Sequence, residues 1–114
     1  MNTYEYPAAI YYVTSRLSAP AMLGQLAEEA AELGKAALKL QRILMDENPT
    51  PVTKPEAMKA LMEEIGDIYC TLDATMQKVN IAYDNDIMPG IVDKGLRWEE
   101  RVRKKYNEPK GEEK

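Results

Sequence analysis

Between residues 23 and 44 the apolar side chains Leu23, Leu26, Ala30, Leu33, Ala37, Leu40 and Leu44 recur at alternating intervals of three and four. An α-helix gathers such positions onto one side, and a stripe of that length needs an apolar partner along it. The segment "DENPTPVTKP" ends the run, because Pro49, Pro51 and Pro55 prevent helical continuation. Thr53 followed by Glu56 has the spacing of a capping box and opens a second long helix. That helix carries Met58, Leu61, Met62, Ile65, Ile68, Tyr69, Leu72, Met76 and Val79, a broad apolar face expected to be buried.

The flanks read as helix too. A short helix is expected over residues 7–17, with Pro7 in its first turn, before "LSAP" interrupts and Ser18 caps the next helix. "NIAYDND" reads as a turn, with Asp86 as N-cap of a final helix over residues 87–106, in which Ile91, Gly95, Trp98 and Val102 mark the inner face. No stretch sustains period-two alternation. The expectation is an all-α fold, an antiparallel bundle of four to five helices, with residues 1–17 an arm or short helix, 18–106 the helical domain and 107–114 a flexible tail. At 114 residues the core is small, and oligomerisation would cover more apolar surface.

Composition removes several kinds of chemistry. There is no histidine, so Ser-His-Asp and Cys-His catalysis, His-containing zinc sites and Glu-x-x-His di-iron sites are excluded. The net charge of −4 argues against binding a nucleic-acid polymer. The lone Cys70 cannot form an intramolecular disulfide and fits a reducing cytoplasm. No apolar run is long enough to cross a membrane. "MNTYEYPAAIYYVTSRL" lacks a basic leader and carries Glu5, which argues against a signal peptide.

What remains is carboxylate chemistry. "QLAEEAAELGKA" places Glu28, Glu29 and Glu32 within a turn and a half of helix. Carboxylates three or four residues apart lie side by side and repel. At about 100° per residue, Glu29 flanks the leucine stripe, Glu32 lies about 60° further round, and Glu28 points nearly opposite. "LMEEIGDIYC" repeats the pattern in the next helix, with Glu63, Glu64 and Asp67, and Gly66 between the last two. That glycine costs about 1 kcal/mol in helix propensity and would let a helix or ligand approach closely. If the helices pack antiparallel, Glu29, Glu32, Glu64 and Asp67 face one another and form an oxygen-only cage for a hard divalent cation. A single Glu-x-x-Glu or Glu-x-x-Asp more often marks a solvated face; two such pairs on adjacent amphipathic helices favour a metal site.

The paired motifs resemble those of the MazG-like all-α nucleoside triphosphate pyrophosphohydrolases, whose pattern of Glu-x-x-Glu and Glu-x-x-Asp is matched by "EEAAEL" and "EEIGDIYC". "DKGLRWEERVRKKY" resembles the basic, aromatic-bearing helix that follows in that family, and the resemblance spans roughly residues 18–106. It implies that Glu29, Glu32, Glu64 and Asp67 hold magnesium, with manganese as a substitute, and that Glu28 and Glu63 orient water. It further implies cleavage of a nucleotide between its α and β phosphates, and a homodimer or homotetramer. The chain departs from the family spacing: 31 residues separate Glu32 from Glu64, through a longer helix and the insertion "DENPTPVTKPE".

Lys94, Arg97 and Arg101, with Lys104 continuing the row, read either as a phosphate clamp or as cations favoured at a helix C-terminus. Asn80 reads as a sugar or base contact, or as a helix cap. Tyr11, Tyr12, Tyr69, Tyr83 and Trp98 read as core more readily than as base-stacking groups, Met58, Met62 and Met76 as packing, and Cys70 as a small buried residue. The alternatives to an enzyme are a non-catalytic metal–nucleotide-binding module and a helical oligomerisation module.

Overall fold

The two longest helices each begin where a side chain meets the amide groups that a helix leaves unpaired. The computed structural model describes residues 5–111, and among them there are four α-helices and no strand. They are α1 (Glu5–Arg16), α2 (Ala19–Met45), α3 (Lys54–Lys78) and α4 (Met88–Tyr106), with a short π-helical turn at Tyr83–Ile87. Ser18 caps α2 by accepting from the Ala21 amide at 3.2 Å. The expected capping box opens α3: the Glu56 amide donates to Thr53 Oγ1 and the Thr53 amide to Glu56 Oε1, each at 3.3 Å. At the other end of α2, Asp46 takes a left-handed conformation (φ 51°) and returns its amide to Arg42.

The start of α4 differs from expectation. Asp86 does not cap it; its carboxylate accepts from the Ala82 amide at 2.8 Å and closes the π-helical turn. α4 then begins at Met88 without a side-chain cap, with Pro89 in its first turn.

The chain divides after Asn80 into two compact units. In the first, α2 and α3 pack along their length, joined by the proline-rich connection. The residues of α2 that are shielded beyond its first turn are Met22, Leu26, Glu29, Leu33, Ala36, Leu40 and Ile43. On α3 the matching seam is Ala57, Leu61, Glu64, Ile68, Thr71, Thr75 and Lys78. Both follow the alternating three-four spacing by which helices keep one seam in contact over many turns. α1 packs on α3, where Ile10, Met22 and Ala74 form a small core with Val13 against it. Lys78 Nζ donates to the Thr14 carbonyl at 2.7 Å, and Tyr6 Oη to Asp73 Oδ2 at 2.7 Å, tying both ends of α1 to α3.

The seam on α2 is therefore not the stripe read from the sequence. Leu26, Leu33 and Leu40 face inward, but Leu23, Ala30, Ala37 and Leu44 are exposed. Leucine count drew the stripe toward the wrong side, because Met22, Ala36 and Ile43 carry the packing beside them. α3 likewise has two apolar faces: Met58, Met62, Ile65, Tyr69 and Leu72 are exposed, as is Cys70. Tyr11, Tyr12 and Tyr83 are exposed as well, so they are not core.

In the second unit, Ile91, Trp98 and Val102 of α4 are exposed, contrary to their expected inner role. The residues after α4 fold back on it: Asn107 is left-handed (φ 55°), Glu108 returns its amide to the Arg103 carbonyl, and Arg103 reaches both Glu99 and the Pro109 carbonyl. The expected flexible tail is thus hydrogen-bonded over its first part, and its last three residues, like residues 1–4 of the expected arm, lie outside the described residues.

Thr53→Ala removes the Oγ1 acceptor of the capping box, leaving the amide of residue 53 to donate to Glu56, and is expected to cost about 1 kcal/mol of unfolding free energy. Thr53→Ser should retain most of it. Chemical denaturation followed by helical circular dichroism measures the difference.

Candidate metal centre

The α2–α3 seam contains two carboxylates where its spacing calls for apolar side chains. Glu29 occupies the position between Leu26 and Leu33, and Glu64 the position between Leu61 and Ile68; both are half-buried. Because the seam advances in step on the two helices, Glu29 and Glu64 meet near its middle. Asp67 follows Glu64 by three residues and sits at the exposed edge. One carboxylate oxygen from each of Glu29, Glu64 and Asp67 lies within 4.8 Å of the others. The long separation of the motifs is absorbed by the hairpin: beyond the acids the seam continues through Leu33, Ala36, Leu40 and Ile43 on α2 and Leu61 and Ala57 on α3.

The fourth expected ligand stands slightly apart. Glu32 is exposed, is not one of the three converging groups, and accepts from Lys35 Nζ at 3.4 Å. Its charge still reaches Glu64. Glu28 and Glu63, the expected water-orienting pair, are exposed. Gln25 was not anticipated: its Nε2 donates to Glu29 Oε1 at 2.8 Å, which fixes that carboxylate's orientation. The spacing of four between Gln25 and Glu29, and of three between Glu32 and Lys35, was the available signal for both contacts.

Electrostatics single out Glu64. Desolvation in the seam raises its pKa above the ordinary carboxylate value, and the charges of Asp67, Glu29, Glu32 and Glu63 raise it further. The ionised cluster is thus under-compensated by the protein itself. Three hard oxygen donors from two helices, with net repulsion among them, suit a divalent cation such as magnesium or manganese. Gly66, between Glu64 and Asp67, does not serve close packing within its own chain; a Cβ built there meets nothing within 4 Å.

No family model, curated protein or solved structure matches the chain.

The remaining expected site residues have other local partners. Asn80 follows the last turn of α3 with a left-handed backbone (φ 63°), the conformation of a helix terminator. In the second unit, Arg97 pairs with Asp93 at 2.9 Å, and Lys94 Nζ stands 5.7 Å from the centre of the Trp98 ring. Arg101 is exposed on the same helix. A concavity of that unit lies between α4 and the returning chain, lined by Leu96, Glu99, Arg103, Asn107 and Pro109. None of the α2–α3 carboxylates lines it.

A pH dependence follows from Glu64. A carboxylate with a raised folded pKa holds its proton more readily folded than unfolded, so metal-free stability rises as pH falls from neutrality toward the ordinary carboxylate range and declines again on returning to neutrality. Glu64→Gln removes the repulsive charge, and is expected to raise the metal-free melting temperature at neutral pH and to flatten that dependence. Thermal melts of both proteins in chelator, across pH, measure it.

Proposed function

We propose that this protein is a magnesium-dependent nucleotide pyrophosphohydrolase, cleaving a nucleoside triphosphate between its α and β phosphates to give the monophosphate and pyrophosphate. The convergence of Glu29, Glu64 and Asp67 within 4.8 Å carries the reading. The MazG-like pattern of the same acids supplies the reaction, and the absence of histidine is compatible with it. Phosphoryl chemistry can proceed by positioning and electrostatics, without a histidine base.

Glu29, Glu64 and Asp67 hold the ion in this reading. Glu32, exposed one turn along α2, completes the donor set by exchanging its contact with Lys35. When bound, magnesium supplies Lewis-acid polarisation of phosphate oxygens and a lowered pKa for water. Gln25 keeps Glu29 turned toward the cluster. Glu28 or Glu63 accepts the proton of the attacking water as its oxygen bonds to the α phosphorus, and the electron pair of the broken P–O bond leaves with pyrophosphate. Within α4, Lys94, Arg97 and Arg101 are the cations whose chemistry suits phosphate oxygens, the two arginines being able to bind them in bidentate fashion.

A cytoplasmic setting fits a magnesium-using enzyme with a single, exposed thiol. No helix among the described residues is long and apolar enough to cross a membrane.

Incubation with a panel of nucleoside triphosphates and magnesium, followed by separation of products, tests the proposal. Monophosphate and pyrophosphate in equal amounts are expected from at least one nucleotide. Glu64→Gln and Asp67→Asn should each reduce the rate by 100-fold or more, on the order of 3 kcal/mol in activation free energy. Diphosphate and orthophosphate as products would contradict the mechanism. Binding without turnover would make the protein a metal–nucleotide-binding module instead.

A further inference from the structure

Gln25 stands one turn before Glu29 on α2, and its Nε2 donates to Glu29 Oε1 at 2.8 Å. Viewed down the helix, Gln25 lies about 40° and Glu32 about 60° from Glu29, both to the same side. Asp67 lies about 60° from Glu64 in the same sense. Antiparallel neighbours turn such like-sided positions to one face, so Gln25 stands on the face of the hairpin that carries Asp67.

We propose that Gln25 determines which divalent cation the acids prefer: by holding one oxygen of Glu29, it keeps that carboxylate to a single metal bond and so favours magnesium over calcium. The inference rests on the reading of Glu29, Glu64 and Asp67 as metal ligands and adds to it the residue that discriminates between ions.

The two ions ask different things of a carboxylate. Calcium gathers roughly six to eight oxygens at about 2.3–2.6 Å, and carboxylates that bind through both oxygens help it reach that number. Magnesium takes about six, nearly octahedral, at about 2.0–2.1 Å, and keeps several of its waters. Glu29, Glu64 and Asp67 bring one oxygen each within 4.8 Å of the others, which leaves positions on a six-coordinate ion for water and phosphate. To serve calcium, the same acids must contribute second oxygens.

Glu29 is where the protein opposes that change. It is half-buried in the seam, and among the described residues it alone of the three acids receives a side-chain hydrogen bond on its carboxylate. Turning both oxygens of Glu29 onto an ion would draw Oε1 away from the Gln25 amide. A hydrogen bond to an ionised carboxylate is among the stronger kinds, and the ligand that keeps it stays singly bound. The donor count is held down on the same face by Lys35, which engages Glu32 at 3.4 Å.

Competition against manganese, read from the free-ion electron paramagnetic resonance signal, gives the apparent affinities of magnesium and calcium for the full chain. Gln25→Met keeps the length and helix propensity of the side chain and removes the donor. It is expected to lower the ratio of magnesium to calcium affinity about tenfold, the scale on which partners of metal ligands act. Gln25→Ala should do the same. Gln41→Met, about three turns beyond Glu29 on the same helix, should leave the ratio unaltered. Gln25 is exposed, so helical circular dichroism should persist in its variants. An unaltered ratio in both Gln25 variants, or an equal change in Gln41→Met, would overturn the inference while manganese binding keeps the metal reading intact. No manganese binding by the unaltered protein would overturn both.

Discussion

Packing of α2 against α3 is the interaction on which the first unit depends, and it is interrupted at its middle by two carboxylates. Glu29 and Glu64 stand at positions whose spacing is otherwise filled by Met, Leu, Ile, Ala and Thr until Lys78 ends the seam on α3. Leucine at either place would bury apolar area and remove repulsion, so the acids lower the stability of the hairpin. A chain that keeps such a cost at facing positions is under a demand other than folding. The long seam on either side lets the hairpin bear it: Leu33, Ala36 and Leu40 on α2 and Ala57 and Leu61 on α3 are shielded toward the connection, while Ile10, Met22 and Ala74, with Val13 against them, form the core at the opposite end.

Capping at Ser18 and Thr53, together with left-handed backbone at Asp46 and Asn80, fixes where each helix starts and stops. With both ends of both helices defined, the level of Glu29 against Glu64 cannot slip by a turn without exposing the leucines. The same restraint keeps Asp67 at the edge of the cluster, one turn from Glu64.

Helix type, caps and proline breaks were readable from the sequence because each depends on neighbours within four residues. Thr53 and Glu56 are an example, as is Ser18. Faces were harder. Leu23, Ala30, Ala37 and Leu44 shared a period with Leu26, Leu33 and Leu40, and nothing local distinguishes the side that meets α3 from the side that does not. Asp86 was misassigned because a π-helical turn uses the same acid to satisfy an earlier amide. In the acidic motif, Glu29, Glu64 and Asp67 were readable because helical spacing and hairpin topology suffice to bring them together. Glu32 is separated from them by a contact with Lys35, which depends on side-chain conformation more than on spacing. α4 carries cations at helical spacing, and spacing alone does not say what they bind.

α3 carries different chemistry on different sides. One side contributes Glu64 and Asp67 to the acidic cluster, and an apolar stripe through Ile65 and Tyr69 faces away from Asp67.

The central claim is that the acids interrupting the seam exist to hold a divalent cation. Electron paramagnetic resonance of manganese tests it most directly, since the free aquo-ion signal is lost on binding. The account predicts that the unaltered protein depletes that signal saturably, that Glu64→Gln and Asp67→Asn abolish the depletion, and that the distant acid substitution Glu100→Gln leaves it intact. Equal depletion by all four proteins, or none by the unaltered one, would contradict it.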